Sequence, residues 1–275
     1  MFKRPVLGIL LCIVLIAGIL AALGAINATH MVNLSPSTPE PALTNEQRME
    51  TAIVKDAKTV SIGVSHSLVI KSDDSLWAWG ENDSGQLGDG TTTASHSPVK
   101  IMDSVASVAT HAFSSMAIKM DGSLWAWGFN GFGQLGDGTK TDRHSPVKIM
   151  DSVASVALET VRTMAIKTDG SLWAWGMNGV RDPDGERRGG FLGDGTTIDR
   201  IEPIKVMDNV IAVSLGAFHT MAIKTDGSLW AWGSNSVGQP GDGTTIEHHT
   251  PVKIMDGVKL PPYTHYGNVE VAQAR

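Results

Sequence analysis

The sequence predicts an all-β fold of four repeated antiparallel sheets, each of about four strands, preceded by one apolar N-terminal helix. Three observations predict it. The phrase SLWAWG recurs at Ser75, Ser123, Ser171 and Ser228; its copies are spaced by 48, 48 and 57 residues; and each is flanked, in the same order, by a β-branched run, an Asp-containing turn and a Gly-rich loop. A fixed period of this size marks stacked supersecondary units that cannot bury their apolar faces alone.

The third interval is long because nine extra residues lie between Asn178 and Gly193, in NGVRDPDGERRGGFLG, where the other copies read NDSGQLG, NGFGQLG and NSVGQPG. Without them the period is constant. The segment HSPVKIMDSVASVA occurs verbatim from His96 and again from His144, so copies with separate chemistries are not expected.

Each element follows from its punctuation. In the second copy VASVAT and SMAIK read as strands, Asp121-Gly122 as a turn, SLWAWG as the next strand, GFGQLGDGT as a loop, and VKIM after Pro146 as the last strand. An Asp-Gly pair between apolar runs predicts a hairpin with a type I′ turn. Asp169-Gly170 and Asp226-Gly227 repeat it, and Asp73-Asp74 is a poorer version in the first copy. Four short strands per period of roughly 40–50 residues is the blade of a β-propeller. The repeats fall at about 58–102, 103–150, 151–207 and 208–256.

All eight tryptophans lie in the repeated phrase: Trp77, Trp79, Trp125, Trp127, Trp173, Trp175, Trp230 and Trp232. Side chains alternate across a strand, so Ser75, Trp77 and Trp79 share one face and Leu76, Ala78 and Gly80 the other. Each indole removes roughly 150–250 Å² from water when buried. The expectation is inter-blade packing, against the alternative of an aromatic platform for a ligand.

The helix is expected at the N-terminus. Lys3 and Arg4 precede an uncharged, almost wholly apolar run from Val6 to Ile26, close to the ~20 residues that span a bilayer. Residues 1–28 therefore read as an uncleaved signal-anchor or a cleaved signal peptide, with the remainder outside the cytoplasm. Pro36, Pro39 and Pro41 make 29–57 a semi-rigid stalk, and 257–275 form a C-terminal tail. The single cysteine, Cys12, excludes an internal disulfide or a Cys-based zinc site. A net charge of -6 without a basic cluster argues against nucleic-acid binding.

The units GVSHSLVIKSDDSLWAWGENDSGQLGDG and GAFHTMAIKTDGSLWAWGSNSVGQPGDG resemble the repeat of the regulator of chromosome condensation family, in a match covering about 58–256. The departures are specific. The family's histidine position reads His66, Ser114, Arg162 and His219; the glycine before it reads Gly63, His111, Glu159 and Gly216; Gln-Leu-Gly becomes Phe191-Leu-Gly in the third copy and Gln239-Pro-Gly in the fourth. The resemblance implies that these positions are structural. It also implies a propeller-type interaction scaffold, as in a secreted bacterial inhibitor of β-lactamases. The family's nuclear guanine-nucleotide exchange factor uses loops of a seven-bladed ring that have no recognisable counterpart here. Four repeats leave three outcomes open: a closed ring, an open arc, or a homo-oligomer.

Catalytic and cofactor chemistry is not expected. GQLGDGT lacks the Gly-Lys-Ser/Thr of a phosphate loop. Asp182, Asp184 and Gly185 open like a calcium loop but lack its later ligands. Asp89, Asp137, Asp194 and Asp242 sit in turns that suit aspartate, and the His248-His249 pair reads as loop. The insertion is where individuality enters the array, with Arg181, Asp182, Asp184, Glu186, Arg187 and Arg188 presenting mixed charge as the candidate partner-binding loop. The reading is a non-enzymatic, membrane-anchored or secreted propeller that binds a protein or cell-surface ligand. Its alternatives are a nucleotide-exchange regulator of a small GTPase and a cell-wall or carbohydrate hydrolase.

Overall fold

The computed structural model describes residues 57–259, apart from 182, 184 and 186. The expected N-terminal helix, the stalk and most of the C-terminal tail lie outside the described residues. Within them the fold is all-β, and four meandering sheets follow one another along the chain.

The first sheet comprises β1 (Ala57–Ile62), β2 (His66–Lys71), β3 (Leu76–Gly80) and β4 (Ser95–Met102). The second comprises β5 (Val105–His111), β6 (Ser114–Lys119), β7 (Leu124–Gly128) and β8 (Arg143–Met150). The third is built from β9 (Val153–Glu159), β10 (Arg162–Lys167), β11 (Leu172–Gly176) and β14 (Arg200–Met207), with the hairpin β12 (Gly179–Arg181) and β13 (Arg187–Gly189) inserted between β11 and β14. The fourth comprises β15 (Val210–Leu215), β16 (His219–Lys224), β17 (Leu229–Gly233) and β18 (His248–Met255). Every neighbouring pair is antiparallel.

The hairpin joining the second and third strands of each sheet is present, but its turn differs from the two-residue form. Gly122 N donates to Lys119 O at 2.9 Å, and Lys119 N donates to Ser123 O at 2.9 Å. That encloses three residues, and only Gly122 has positive φ (79°), the pattern of a type I turn followed by a bulge glycine. The reason is local: Asp121 Oδ1 accepts from both the amide and the hydroxyl of Ser123, which holds the aspartate on the near side of the turn. In the first copy Asp74 takes the glycine's place at φ 62°, a conformation that short polar side chains tolerate.

Successive sheets stack through their leading strands: β1 and β2 on β5, β5 and β6 on β9, and β9 and β10 on β15. Each junction has its own apolar core. Leu68, Ile70, Leu87 and Trp127 lie in the first, Met116, Leu135, Val156 and Trp175 in the second, and Met164, Leu192, Val213 and Trp232 in the third.

The tryptophans divide into two kinds. The second of each pair is the junction staple: Trp127, Trp175 and Trp232 are fully buried, and each reaches back into the loop of the preceding sheet. Their Nε1 atoms donate to Gln86 O, Gln134 O and Phe191 O at 2.9, 2.9 and 3.0 Å. A Cβ on Gly136 would stand 2.6 Å from Trp175 Nε1, so glycine here makes room for the indole and supplies the positive φ. The first of each pair is only half-buried. Trp125 Nε1 donates to Ser123 Oγ at 2.9 Å, and Lys119 lies over its ring at 5.9 Å, an arrangement repeated at Trp77, Trp173 and Trp230.

Candidate partner-binding face

An antiparallel meander brings the turn after the first strand of a sheet and the long loop after the third to one end. Glu81 N donates to Ser65 O at 2.8 Å, and Phe129, Met177 and Ser234 repeat the bond. This loop end carries the histidine position and the insertion; the Asp-containing hairpin turns occupy the opposite end.

An asparagine organises each long loop. Asn130 Nδ2 donates to Asp137 Oδ1 (3.0 Å) and to Thr139 and Thr141 carbonyls (3.1 Å each), while its Oδ1 accepts from Leu135 N (3.0 Å). Asn82 and Asn178 do the same in their copies. The repeated aspartates are therefore occupied. Burial pushes Asp137 and Asp194 upward, but hydrogen bonds from Thr139 and Arg143, and from Arg200 and Thr196, outweigh it and hold both below the ordinary carboxylate range. Among the described residues no group of three or more His, Cys, Asp or Glu side chains has the arrangement of a metal site.

The histidine position explains its own substitutions. A Cβ on Gly63 would come within 2.4 Å of His66 Cε1, and one on Gly216 within 2.4 Å of His219 Cε1, so glycine accompanies histidine. Where that position is Ser114 or Arg162, His111 and Glu159 replace the glycine. His66 is buried and shares a 2.8 Å hydrogen bond with Ser115 Oγ on the next sheet. Since the Ser115 hydroxyl donates to Gln86 O, His66 must donate through Nε2, which leaves Nδ1 a bare acceptor with no partner. Burial lowers its pKa from 6.5 to about 4, so the ring is neutral. His219 also lies low, through burial and then the nearby Arg162 charge.

Arg162 is the residue that motif reading passed over. Its guanidinium is 0% exposed and crosses to the fourth sheet, donating to Ala217 O (2.8 Å), Gly216 O and His219 O (3.0 Å). Phe191 stacks at 5.4 Å. Burial lowers its pKa to about 10, so it stays charged at neutral pH. The signal in the sequence was the exchange of Gly-x-x-His for Glu-x-x-Arg in one copy.

The insertion folds as a hairpin, with Gly179 opposite Gly189 and Arg181 opposite Arg187. It is braced on two sides. Arg187 pairs with Asp199 and donates to Thr197 O; Asp199 also accepts from Asn178 N (3.0 Å) and faces Lys140 Nζ of the second sheet at 3.6 Å. On the other side Gly189 N donates to Glu247 Oε2 of the fourth sheet at 3.1 Å. Of the six candidate residues, Arg187 is committed to this brace. Arg181 is exposed and donates to Gly185 O across the hairpin. Arg188 is exposed on the same strand pair. Asp182, Asp184 and Glu186 lie outside the described residues. Lys140, Asp199 and Glu247 join the site from three sheets; only the parallel between Asp199 and Asp142, which accepts from Asn130 N at 2.8 Å, hinted at the role of Asp199.

Models of the regulator of chromosome condensation (RCC1) repeat match residues 57–86 and 210–239, and 73–118, 121–162 and 226–262, together more than half of the chain. The chain belongs to the RCC1 repeat family. Solved structures agree at the level of fold. Human WBSCR16 superposes with a TM-score of 0.59 at 23% identity, over 72% of this chain and 53% of that one. Prp20p of Saccharomyces cerevisiae gives 0.58 at 19%, over 78% and 52%. Yeast RCC1 (Prp20) in complex with Kap60 gives 0.58 at 20%, over 78% and 50%. The chain thus spans about half the length of these structures. Most of the third RCC1 repeat, the hairpin included, lies outside the matched segments, and Arg162 is the last residue of one of them.

Proposed function

We propose that this RCC1-repeat propeller is a non-enzymatic scaffold that takes a protein or cell-surface ligand at its loop end, around the β12–β13 hairpin. The braced hairpin carries this reading. An insertion into a uniform array, held by Asp199 on one side and Glu247 on the other, offers a preorganised surface, and preorganisation lowers the entropy lost on binding. The kinship supports a protein partner: Prp20p is described with binding properties toward Gsp1p and histones, and Kap60 is bound to it in a second structure. Lys3, Arg4 and the apolar run of 6–26 support anchoring with the repeats outside the cytoplasm.

The test compares the intact chain with a form lacking residues 180–188 as baits in envelope extracts of the producing cell. Loss of a discrete partner from the deleted bait, with cooperative unfolding kept, supports the reading; equal capture by both overturns it. Protease treatment of intact cells tests the topology, since repeats outside the cytoplasm are cleaved and repeats inside are spared.

A second reading follows from the family itself, regulation of a small GTPase by nucleotide exchange. Its test is release of a fluorescent GDP analogue from GTPases of the same cell. Acceleration at catalytic concentrations of the chain would replace the scaffold reading.

A further inference from the structure

The three sheet junctions share one hydrogen-bond pattern, and the two ends of the series carry the unmatched halves of a fourth. At each junction a loop carbonyl of one sheet accepts twice from the next. Gln86 O takes Trp127 Nε1 and Ser115 Oγ, Gln134 O takes Trp175 Nε1 and Thr163 Oγ1, and Phe191 O takes Trp232 Nε1 and Thr220 Oγ1. A loop glycine then donates to the start of the next sheet's last strand: Gly90 to His144 O, Gly138 to Ile201 O, Gly195 to His249 O.

The fourth sheet offers the accepting half, and among the described residues no indole fills it. Gln239 is the counterpart of Gln86, yet no tryptophan of the described residues reaches its carbonyl. A Cβ on Gly241 would meet only Ile254 Cγ2 at 3.9 Å, whereas the equivalent glycines 88, 136 and 193 lie under an indole nitrogen at 2.6–2.7 Å. A Cβ on Gly238 or Gly243 would meet nothing within 4 Å among the described residues.

The first sheet offers the donating half. Trp79 and Ser67 occupy the positions of Trp127 and Ser115, and His96 that of His144. Ile62 is 71% exposed where Leu158 is 4% and Thr110 1%; Val60 is 51% exposed where Val156 is 3%. Each of these two positions is buried in two of the later copies and partly buried in the third (Val108 and Leu215), and both are bare in the first sheet.

We propose that a second copy of this chain supplies the missing halves: the first sheet of one copy docks on the fourth sheet of the other, and the reciprocal contact closes a two-copy ring. The joint is head-to-tail, and such a contact either closes or grows into a filament. Closure is favoured by length, since this chain covers 50–53% of the RCC1-type chains it superposes on, so two copies supply about as many blades as one of them.

The test is the polypeptide mass of the full chain in detergent, by light scattering corrected for bound detergent, with two variants. Ile62→Glu alters a side chain that is already exposed, and Gly241→Asn fills the empty cradle with a residue that tolerates positive φ. Both should therefore leave each copy folded, which unfolding curves are recorded to check. The expected result is twice the chain mass for the unaltered protein and a single mass for each variant alone. An equimolar mixture of differently tagged variants returns to the double mass with both tags in one particle, because one intact joint remains. A single mass for the unaltered chain up to about 100 µM overturns the proposal, as does a mass beyond two copies. Variants that keep the double mass, or a mixture that stays single, overturn it equally.

Discussion

Pro240 stands where the other three copies have a leucine, and without an amide proton it leaves the buried Oδ1 of Asn235 with no donor. In those copies the leucine amide fills that role at 2.8–3.0 Å. A buried acceptor left unmatched costs about 1–3 kcal/mol, while proline returns about 0.4–1 kcal/mol by restricting the unfolded chain. Pro240→Ala restores the proton and should raise stability by about 1 kcal/mol, read from the urea midpoint at constant slope. An unchanged or lower midpoint would show that the orphaned oxygen carries no penalty. The reciprocal change, Leu135→Pro, takes the donor from Asn130 and should destabilise by more than the first gains.

The two tryptophans of one phrase should respond differently to the same substitution. Trp175→Phe removes a buried Nε1–H from Gln134 O and opens space in the second junction, a loss of about 2–3 kcal/mol. Trp173→Phe removes a bond to its neighbour Ser171 on a half-wet surface, about 0.5–1 kcal/mol. Urea unfolding of the two variants checks the order, and equal losses would erase the distinction between staple and surface indole.

How much of this was legible in the sequence depends on the reach of each interaction. The period, the strand alternation in SLWAWG and the hairpin at Asp121-Gly122 depend on neighbours within a few residues, so the chain displays them directly. The turn type was missed because Asp121 binds Ser123, and the I′ expectation weighs only backbone preference. The different fates of Trp173 and Trp175 were hidden because both face one way; they differ in the sheet each meets, which lies 41 residues away for Trp175. Arg162 read as a damaged motif because its three carbonyls lie 54–57 residues downstream. For the candidate site, the hairpin's position was legible in the broken period, but the brace was not, since Arg187 reads as free charge until Asp199 is placed beside it.

Arg162 should be a local clamp on the fourth sheet. Arg162→Ala leaves the carbonyls of Gly216, Ala217 and His219 without this donor and opens a cavity beside Phe191. A loss of about 2–5 kcal/mol is expected, since buried carbonyls left without a donor cost about 1–3 kcal/mol each and the space left beside Phe191 adds to it. Hydrogen exchange followed by mass spectrometry should show protection falling first in β15 and β16, with the first sheet unaffected. Uniform loss across all four sheets would contradict the clamp.

Stability should fall as the solution is acidified from about pH 6.5 to about pH 4, before most carboxylates protonate. His66 is neutral when folded, with its pKa lowered by burial to about 4, and close to 6.5 when unfolded. In that window the unfolded chain binds the extra proton, so stability rises with pH. The full contribution of this ring is about 3 kcal/mol, lost progressively from pH 6.5 downward and constant below 4. His111 and His219, also lowered chiefly by burial, act in the same direction. The aspartates held low by their loop partners act later: their contribution is present above their ordinary range and vanishes as pH falls through their depressed values. His66→Gln should flatten the pH 4–6.5 limb of a stability-against-pH curve and leave the lower limb in place; an unaltered upper limb would assign that proton elsewhere.

Asp199 separates the hairpin's order from its sequence. It receives Arg187, Asn178 N and the more distant Lys140, so Asp199→Ala should release one side of the brace while every residue of the insertion remains. The loss in global stability is expected to be modest, about 1–2 kcal/mol, since Arg187 and Lys140 are partly exposed and water replaces their partner. Amide exchange in 179–189 should quicken by about tenfold or more, corresponding to ~1.4 kcal/mol of local opening. If the loop end binds its partner through a preorganised hairpin, this variant weakens capture through faster dissociation with little change in association. Unchanged capture by a demonstrably loosened hairpin would mean that the exposed side chains act without the brace, and would move the binding determinant from geometry to charge.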